Sequence, residues 1–285
     1  MSSLAIFTAP VRAALVVWLL AATTNAAPAD GAGGCELRVE SELFADGGPE
    51  PVARSLTLFK DGVAWDFLEL AAPSDADGPP AGGMRLTEIV LHDPARERVV
   101  VIDPHRDVKT QVETIRLERL SVSLAKWARG ADDRLVRWAG GPDFGDGITD
   151  KADAVELVGP RVRYAVTYTA APSTAAAATY RRFADTAILL KALLHPGGIP
   201  PFPRLALNRR IEAAGAIPAE VSLEIDPKLA LVSGRPSRLT CVHKTHPRLL
   251  TADLARIEDG EAHSASATAV DIAAFAATPP AAAGR

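Results

Sequence analysis

The first half of the chain alternates apolar and polar residues with a period of two, which is typical of β-strands that bury one face. Residues 36–44 (ELRVESELF) follow this pattern, and so do residues 54–60 and 63–70. The dipeptide Asp61-Gly62 separates the last two runs, and Asp-Gly between apolar runs favours a two-residue hairpin turn. The pattern therefore predicts an antiparallel meander that begins near residue 36.

The meander continues after a loop rich in proline and glycine, residues 71–83. Asp-Pro pairs at Asp93-Pro94 and Asp103-Pro104 separate the next apolar runs, and such pairs favour type I turns because the aspartate accepts a local backbone hydrogen bond while proline fixes φ. The pattern predicts three further strands, at residues 85–92, 98–102 and 107–112.

The period changes to that of helices after residue 112. The spacing predicts a helix with one apolar face, which Gly130 can terminate. That face is formed by Leu117, Leu120, Leu124 and Trp127. An alanine-rich helix is predicted over residues 174–195. It is long enough to span a bilayer, but its charged residues argue against burial in lipid, so we interpret it as an amphipathic cover helix. Those residues are Arg181, Arg182, Asp185 and Lys191.

Strands return in the later part of the chain, and a further helix is predicted from Thr251. In total we expect about ten strands and four or five helices without a β-α-β rhythm, in one α+β domain over residues 27–277. The predicted later strands are residues 155–158, 161–169, 220–226 and 238–244.

The first 26 residues are typical of a secretory signal peptide. Arg12 precedes the apolar run 13–22, and Thr24-Asn25-Ala26 offers small residues for cleavage. The run is too short to span a bilayer, so we expect no transmembrane segment in the mature form. This N-terminal pattern predicts a periplasmic or secreted protein. At the other end of the chain we expect a disordered tail over residues 278–285.

Two cysteines, Cys35 and Cys241, are present in the chain. Residues 32–34 before Cys35 are Ala-Gly-Gly and do not form a lipidation signal, so we expect no lipid anchor there. In an oxidising compartment two cysteines favour a disulfide, and a loop this long would contribute about 4–5 kcal/mol to stability. The alternative is a pair of buried thiols.

Composition and charge narrow the functional classes. The chain has 285 residues, of which 48% are hydrophobic and 23% charged, as is ordinary for a globular protein. Its formal net charge of −4 lacks the basic footprint of a nucleic-acid-binding protein, so we expect no nucleic-acid partner.

No motif for a nucleophile elbow, nucleotide loop, zinc helix or dinucleotide fingerprint is present in the sequence. His243 and His246 are the best metal candidates, but their spacing places them on opposite faces of a strand. We therefore assign no catalytic residue, metal ligand or cofactor, and the ligand-binding residues stay unknown.

Two other groups of residues have a chemical and a plainer interpretation. His92-Asp93 and Asp103-Pro104-His105 suggest a carboxylate–imidazole pair, but we favour aspartates that cap turns beside solvated histidines. The arginine pairs could bind phosphate, and we favour solvated helix faces instead. These pairs are Arg181-Arg182 and Arg209-Arg210.

The segment from Ser55 to Val112 resembles the meander of exported bacterial proteins with the LolA/LolB-type lipoprotein-carrier fold. It reads SLTLFKDGVAWDFLE, a loop, and then RLTEIVLHDPARERVVVIDPHRDVKTQV. The resemblance implies a curved antiparallel sheet, an unclosed half-barrel, with helices covering its apolar concave face. It assigns no lipid-contacting residue by position.

These observations lead to three functional hypotheses. The first is a non-enzymatic exported protein that binds a lipid or another apolar small molecule in the concave face. The second is a structural or interaction module of the cell envelope, with a filled core and an envelope protein as its partner. The third is a hydrolase that uses an Asp–His pair near His92 and His105.

Overall fold

A computed structural model describes residues 35–71, 83–233 and 236–277. The predicted signal peptide and C-terminal tail lie outside the described residues, as does most of the predicted loop at 71–83. The strands are β1 (Leu37–Ala45), β2 (Ala53–Lys60), β3 (Val63–Ala71), β4 (Met84–Asp93), β5 (Arg98–Asp103), β6 (Val108–Glu113), β7 (Ile148–Asp150), β8 (Ala154–Gly159), β9 (Val162–Ala170), β10 (Ala216–Ile225), β11 (Arg238–His246) and β12 (Thr268–Ala269). The helices are α1 (Thr114–Arg129), α2 (Arg134–Ala139), α3 (Thr174–Leu194), α4 (Phe202–Ala213), α5 (Pro227–Ser233), α6 (Thr251–Ser266) and α7 (Ile272–Ala276).

All twelve strands belong to one sheet, in the order β12-β6-β5-β4-β3-β2-β1-β11-β10-β9-β8-β7. Neighbouring strands are antiparallel except β12 and β6, which are parallel. The sheet does not close, because β12 and β7 lie at its two ends. The predicted Asp61-Gly62 hairpin is confirmed: φ is 52° at Asp61 and 79° at Gly62, as a two-residue turn of this type requires.

Helix α3 lies inside the curve of the sheet. Every residue from Phe183 to Lys191 is buried, so this part of the helix is enclosed on all sides. Its core cluster contains Val112 of β6 at one side of the sheet and Ile217 of β10 far along it. The α+β class and the unclosed half-barrel with helices on its concave face are therefore confirmed. The helix is a central element, however, and not the one-sided cover that we predicted.

The convex face is covered by α6. Trp65 and Phe67 point to this face and pack with Ile257 of the helix. Gly260 allows this close contact, since a Cβ there would lie 3.0 Å from the ring of Trp65. The sheet is thus covered on both faces near β3 and β4.

The apolar face of α1 is buried unevenly. Leu117 is buried, and Leu120 and Leu124 are half-buried, but the side chain of Trp127 is 58% exposed. The helix lies against β6, α2 and α3, and these elements do not reach around to Trp127. The predicted helix is confirmed, and Trp127 is the exposed member of its apolar face.

The predicted disulfide between Cys35 and Cys241 is not formed, and both cysteines are free thiols. The strand register explains why. Cys241 pairs with Leu43, and Cys35 precedes Leu43 by eight residues. At the rise of an extended strand this separates the cysteines by about 27 Å, whereas a disulfide requires Cα atoms within about 7 Å. Cys241 is buried, and Cys35 is partly exposed.

Among the described residues, no helix has both the length and the apolar character needed to cross a bilayer.

Gly159 at the end of β8 supports the packing of α2. A Cβ at this position would overlap the indole ring of Trp138. We therefore expect Gly159→Ala to lower the free energy of unfolding by about 1–3 kcal/mol, because the ring must move from its site. Urea unfolding followed by tryptophan fluorescence measures this change. Gly83→Ala is the matched control, since nothing lies within 4 Å of a Cβ there. Equal effects of both substitutions would contradict the prediction.

Candidate functional site

A cavity of about 510 Å³ opens at the rim of the half-barrel. It lies between the end of β3, the start of β4, the turn from β5 to β6, the last turn of α3, and α7. The cavity thus joins five elements that are far apart in the sequence. Its volume is in the range of small-molecule binding pockets.

The apolar part of this rim pocket is formed by Leu70, Leu194 and Phe275. Phe275 belongs to α7, whose first turn is capped by Asp271 through a 2.8 Å hydrogen bond from the backbone N–H of Ala274. The guanidinium of Arg106 donates to the carbonyl oxygens of Phe275 and Ala274 at 2.8 and 3.0 Å. These contacts hold the aromatic ring in the pocket wall.

The polar part of the rim pocket is cationic on one side. Arg85 donates through Nε to Nε2 of His105 at 2.7 Å, which makes the imidazole the acceptor. Arg85 is exposed and forms no ion pair with any described carboxylate. Asp103 holds the adjacent turn, because its carboxylate accepts from the backbone N–H groups of His105 and Arg106 at 3.0 and 3.1 Å. An unpaired guanidinium beside an apolar wall suits an anionic group on an apolar body.

Glu88 of β4 lines the inner wall of the pocket and forms an ion pair with Lys191 of α3. Both side chains are largely buried. His195, one turn further along the chain, also lines the pocket, and its pKa lies below the usual value because of burial and the nearby Lys191 cation. The charges of Lys191 and Glu88 compensate each other, so Arg85 carries the unpaired positive charge of the site.

Beneath the pocket, polar residues of the sheet face the enclosed helix. Thr57 donates to Asp66 at 2.7 Å, and Ser55 donates to the same carboxylate oxygen. Burial raises the pKa of Asp66 above its usual value, although the two hydroxyl groups act in the opposite direction. The sequence contained a signal for this cluster, since Ser55 and Thr57 interrupt an otherwise apolar face of β2. We did not interpret it.

Ser41 and His243 form a second buried pair, with Oγ and Nδ1 2.8 Å apart. Both side chains are enclosed, and Nε2 of His243 has no hydrogen-bond partner within the described part of the chain. Burial, with a contribution from the Arg204 cation, lowers the pKa of His243 to about 3. The pair resembles a nucleophile and its base, but its burial keeps substrates away from it.

The predicted turn aspartates are confirmed, and the histidines beside them differ from each other. Asp93 accepts from the backbone N–H of Arg96 at 3.2 Å, and His105 is exposed as expected. His92 contradicts the prediction of a solvated histidine. It is buried beside the ring of Phe183, with the ring centroids 6.2 Å apart. This places it on the concave face, where α3 covers it.

The arginine pairs are mostly on solvated helix faces, as predicted. Arg182, Arg209 and Arg210 are exposed. Arg181 contradicts the prediction, because it is buried and contacts Asp185 at 3.1 Å and also Glu212. The difference arises because Arg181 lies on the side of α3 that faces α4, which carries Glu212.

His243 and His246 lie on opposite faces of β11, as their spacing predicts. His243 is buried, whereas His246 is about half exposed and lies 3.7 Å from Glu40. In the described ranges no group of three His, Cys, Asp or Glu side chains is arranged to hold a metal ion.

A second cavity of about 540 Å³ lies on the convex face beside α6. Most of its charged side chains already pair with one another. Arg38 contacts Glu40 at 2.6 Å and Asp253 at 3.1 Å, and Arg54 contacts Glu42 at 3.0 Å. Because these charges are satisfied internally, the rim pocket is the stronger candidate site.

None of the residues that line the rim pocket was identified from the sequence as ligand-binding. Leu70, Arg85, Leu194 and Phe275 belong to different elements, and no local pattern connects them. No model of a known protein family matches this chain, and no curated protein is significantly similar to it.

Proposed function

We propose that this protein is an exported, non-enzymatic binding protein for an amphipathic ligand with an apolar body and an anionic headgroup. One observation carries the proposal: the rim pocket combines the apolar side chains of Leu70, Leu194 and Phe275 with the unpaired cation of Arg85. The apolar wall would bury the body of the ligand, and the guanidinium would pair with its headgroup.

The position of the pocket refines the ligand-binding hypothesis. The resemblance to lipoprotein carriers implied a ligand beneath the helices, on the concave face. That space is filled by α3, which is enclosed from Phe183 to Lys191. The ligand is therefore proposed to bind at the rim, where the end of α3 meets the end of β3 and the start of β4.

The filled centre also supports a second candidate function. A half-barrel with a close-packed helix in its curve fits a structural or interaction module of the cell envelope. Of the two histidines in the hydrolase hypothesis, His92 is buried under α3, and His105 lies at the β5–β6 turn, which lines the rim pocket. The two candidates differ in whether the rim pocket takes up an apolar molecule.

Binding of a pyrene-labelled fatty acid tests the proposal. We expect saturable binding by the wild type and its loss in Ala71→Trp, because Ala71 is exposed at the pocket and an indole there would fill it. The matched control is Ala252→Trp, at an exposed alanine of the convex cavity. We expect Arg85→Gln to bind the acid about tenfold more weakly, with little change for the corresponding alcohol.

The variants separate the possible results. Absence of saturable binding by the wild type would overturn the ligand-binding proposal and favour the structural module. Equal binding by the two tryptophan variants would place the site outside the rim pocket. Equal losses for acid and alcohol in Arg85→Gln would refute the role of Arg85 in recognising the headgroup.

A further inference from the structure

The outward side of α1 carries a stripe of alternating apolar and cationic residues. Ile115, Arg119, Val122, Lys126 and Arg129 are spaced by four, three, four and three residues, which places them on one side of a helix. All five side chains are exposed. Val122 is 71% exposed and Ile115 is 44% exposed, although residues of this type are usually buried. We call these five residues the outer stripe.

Trp127 and Arg116 flank the outer stripe. Their spacing places them on an adjacent side of α1, and both are exposed. An indole in water is costly unless a partner covers it, and indole rings are enriched where a polar and an apolar phase meet. The helix therefore presents three large apolar side chains among its cations.

The cations of this surface are Arg116, Arg119, Lys126 and Arg129. Within the described ranges, none of these four side chains forms an ion pair. Residues 114–139, which span α1 and α2, contain six Lys or Arg and three Asp or Glu, whereas the whole chain has a net charge of −4. A locally positive surface on an acidic protein indicates an anionic partner.

We infer that the outer stripe and Trp127 dock on an anionic lipid surface. Helices that lie in the membrane interface combine apolar side chains, which enter the acyl boundary, with Lys and Arg, which meet anionic headgroups. The acyl boundary accepts Val122, Ile115 and the indole, and the anionic headgroups meet the cations beside them. An acidic protein would meet the same cations, and the vesicle experiment below distinguishes it from a lipid surface.

This surface is distinct from the rim pocket. The pocket includes the turn at one end of β6, and α1 begins at the other end of that strand. The six residues of β6 separate the two ends by about 20 Å. Substitutions on the outer stripe therefore leave the pocket residues in place, and the inference does not depend on the proposed function.

Flotation with vesicles tests the inference. We expect the exported full-length protein to float with vesicles of equal phosphatidylglycerol and phosphatidylcholine, and to stay unbound with phosphatidylcholine alone. We expect Arg119→Glu with Lys126→Glu to reduce the bound fraction at least tenfold. The matched control is Lys60→Glu with Lys228→Glu, which changes the net charge equally at sites outside α1 and α2.

A second pair of measurements tests the insertion of apolar side chains. We expect Val122→Ser with Trp127→Ser to weaken binding to the anionic vesicles, and the wild type to show a blue shift of tryptophan emission that Trp127→Phe removes. Circular dichroism of each variant establishes that it is folded.

Three results would overturn the inference. The first is absence of binding to anionic vesicles. The second is an equal loss of vesicle binding in the control pair, which would show that the effect depends only on the net charge. The third is charge-dependent capture of an acidic protein without vesicle binding, which would assign the surface to a protein partner. Unchanged vesicle binding by the serine variant would refute the inserted geometry.

Discussion

Replacing Lys191 with methionine is expected to lower the free energy of unfolding by about 3–5 kcal/mol, because it leaves a buried charge without its partner. Lys191 lies on the enclosed part of α3, where its ammonium pairs with Glu88 and also acts on the nearby Asp66. Methionine keeps most of the volume of the side chain but removes the charge. Chemical denaturation followed by circular dichroism measures the loss.

Two further variants identify the cause of this loss. Lys126→Met, at an exposed lysine on α1, is expected to change stability by no more than about 0.5 kcal/mol. Glu88→Gln combined with Lys191→Met is expected to be more stable than Lys191→Met alone, since the uncompensated carboxylate is gone. Additive effects of the two substitutions would show that the ion pair does not cause the loss.

The second large effect is acid destabilisation through two buried histidines. Burial, with the Arg182 cation, lowers the pKa of His92 to about 4, and the pKa of His243 is about 3. Free histidine titrates near 6.5, so between that pH and the folded values the unfolded chain binds protons that the folded chain does not. Stability therefore falls as the pH falls, by about 2 kcal/mol per histidine between pH 6.5 and 5.

Single variants isolate each contribution. We expect His92→Gln and His243→Asn to lose about 2 kcal/mol less than the wild type between pH 7 and pH 5. The comparison is needed because burial raises the pKa of Asp66 and Asp185, and these carboxyl groups favour the folded state as the pH falls. His105→Gln, at an exposed position, is the control and is expected to follow the wild type. Identical pH profiles for all four proteins would contradict the assignment.

The features that the sequence predicted correctly depend on local chemistry. The Asp61-Gly62 turn could be predicted because few residues tolerate its positive φ angles. The caps at Asp93 and Asp103 follow from hydrogen bonds within three residues. The α+β class and the meander followed from the periodicity, since a half-buried strand must alternate.

The features that were missed depend on contacts between distant segments. A disulfide was predicted between the two cysteines because no local pattern shows that Cys241 lies opposite Leu43. Trp127 fits a helical period, but a period does not show whether another element covers it. The rim pocket combines Arg85 with Leu194 and Phe275, and only the fold brings these three residues together.

The pairing of β1 with β11 has a consequence for how the chain folds. Leu43 pairs with Cys241, about 200 residues later, and this seam joins the early meander to the late one. Strands β1 to β6 pair with their neighbours in the sequence, and such pairing forms quickly, whereas a contact across about 200 residues forms slowly. Until β11 pairs with it, one edge of β1 has no partner, although β1 lies in the middle of the finished sheet. That edge is a template for association with other chains, so the seam is the step at which folding competes with aggregation.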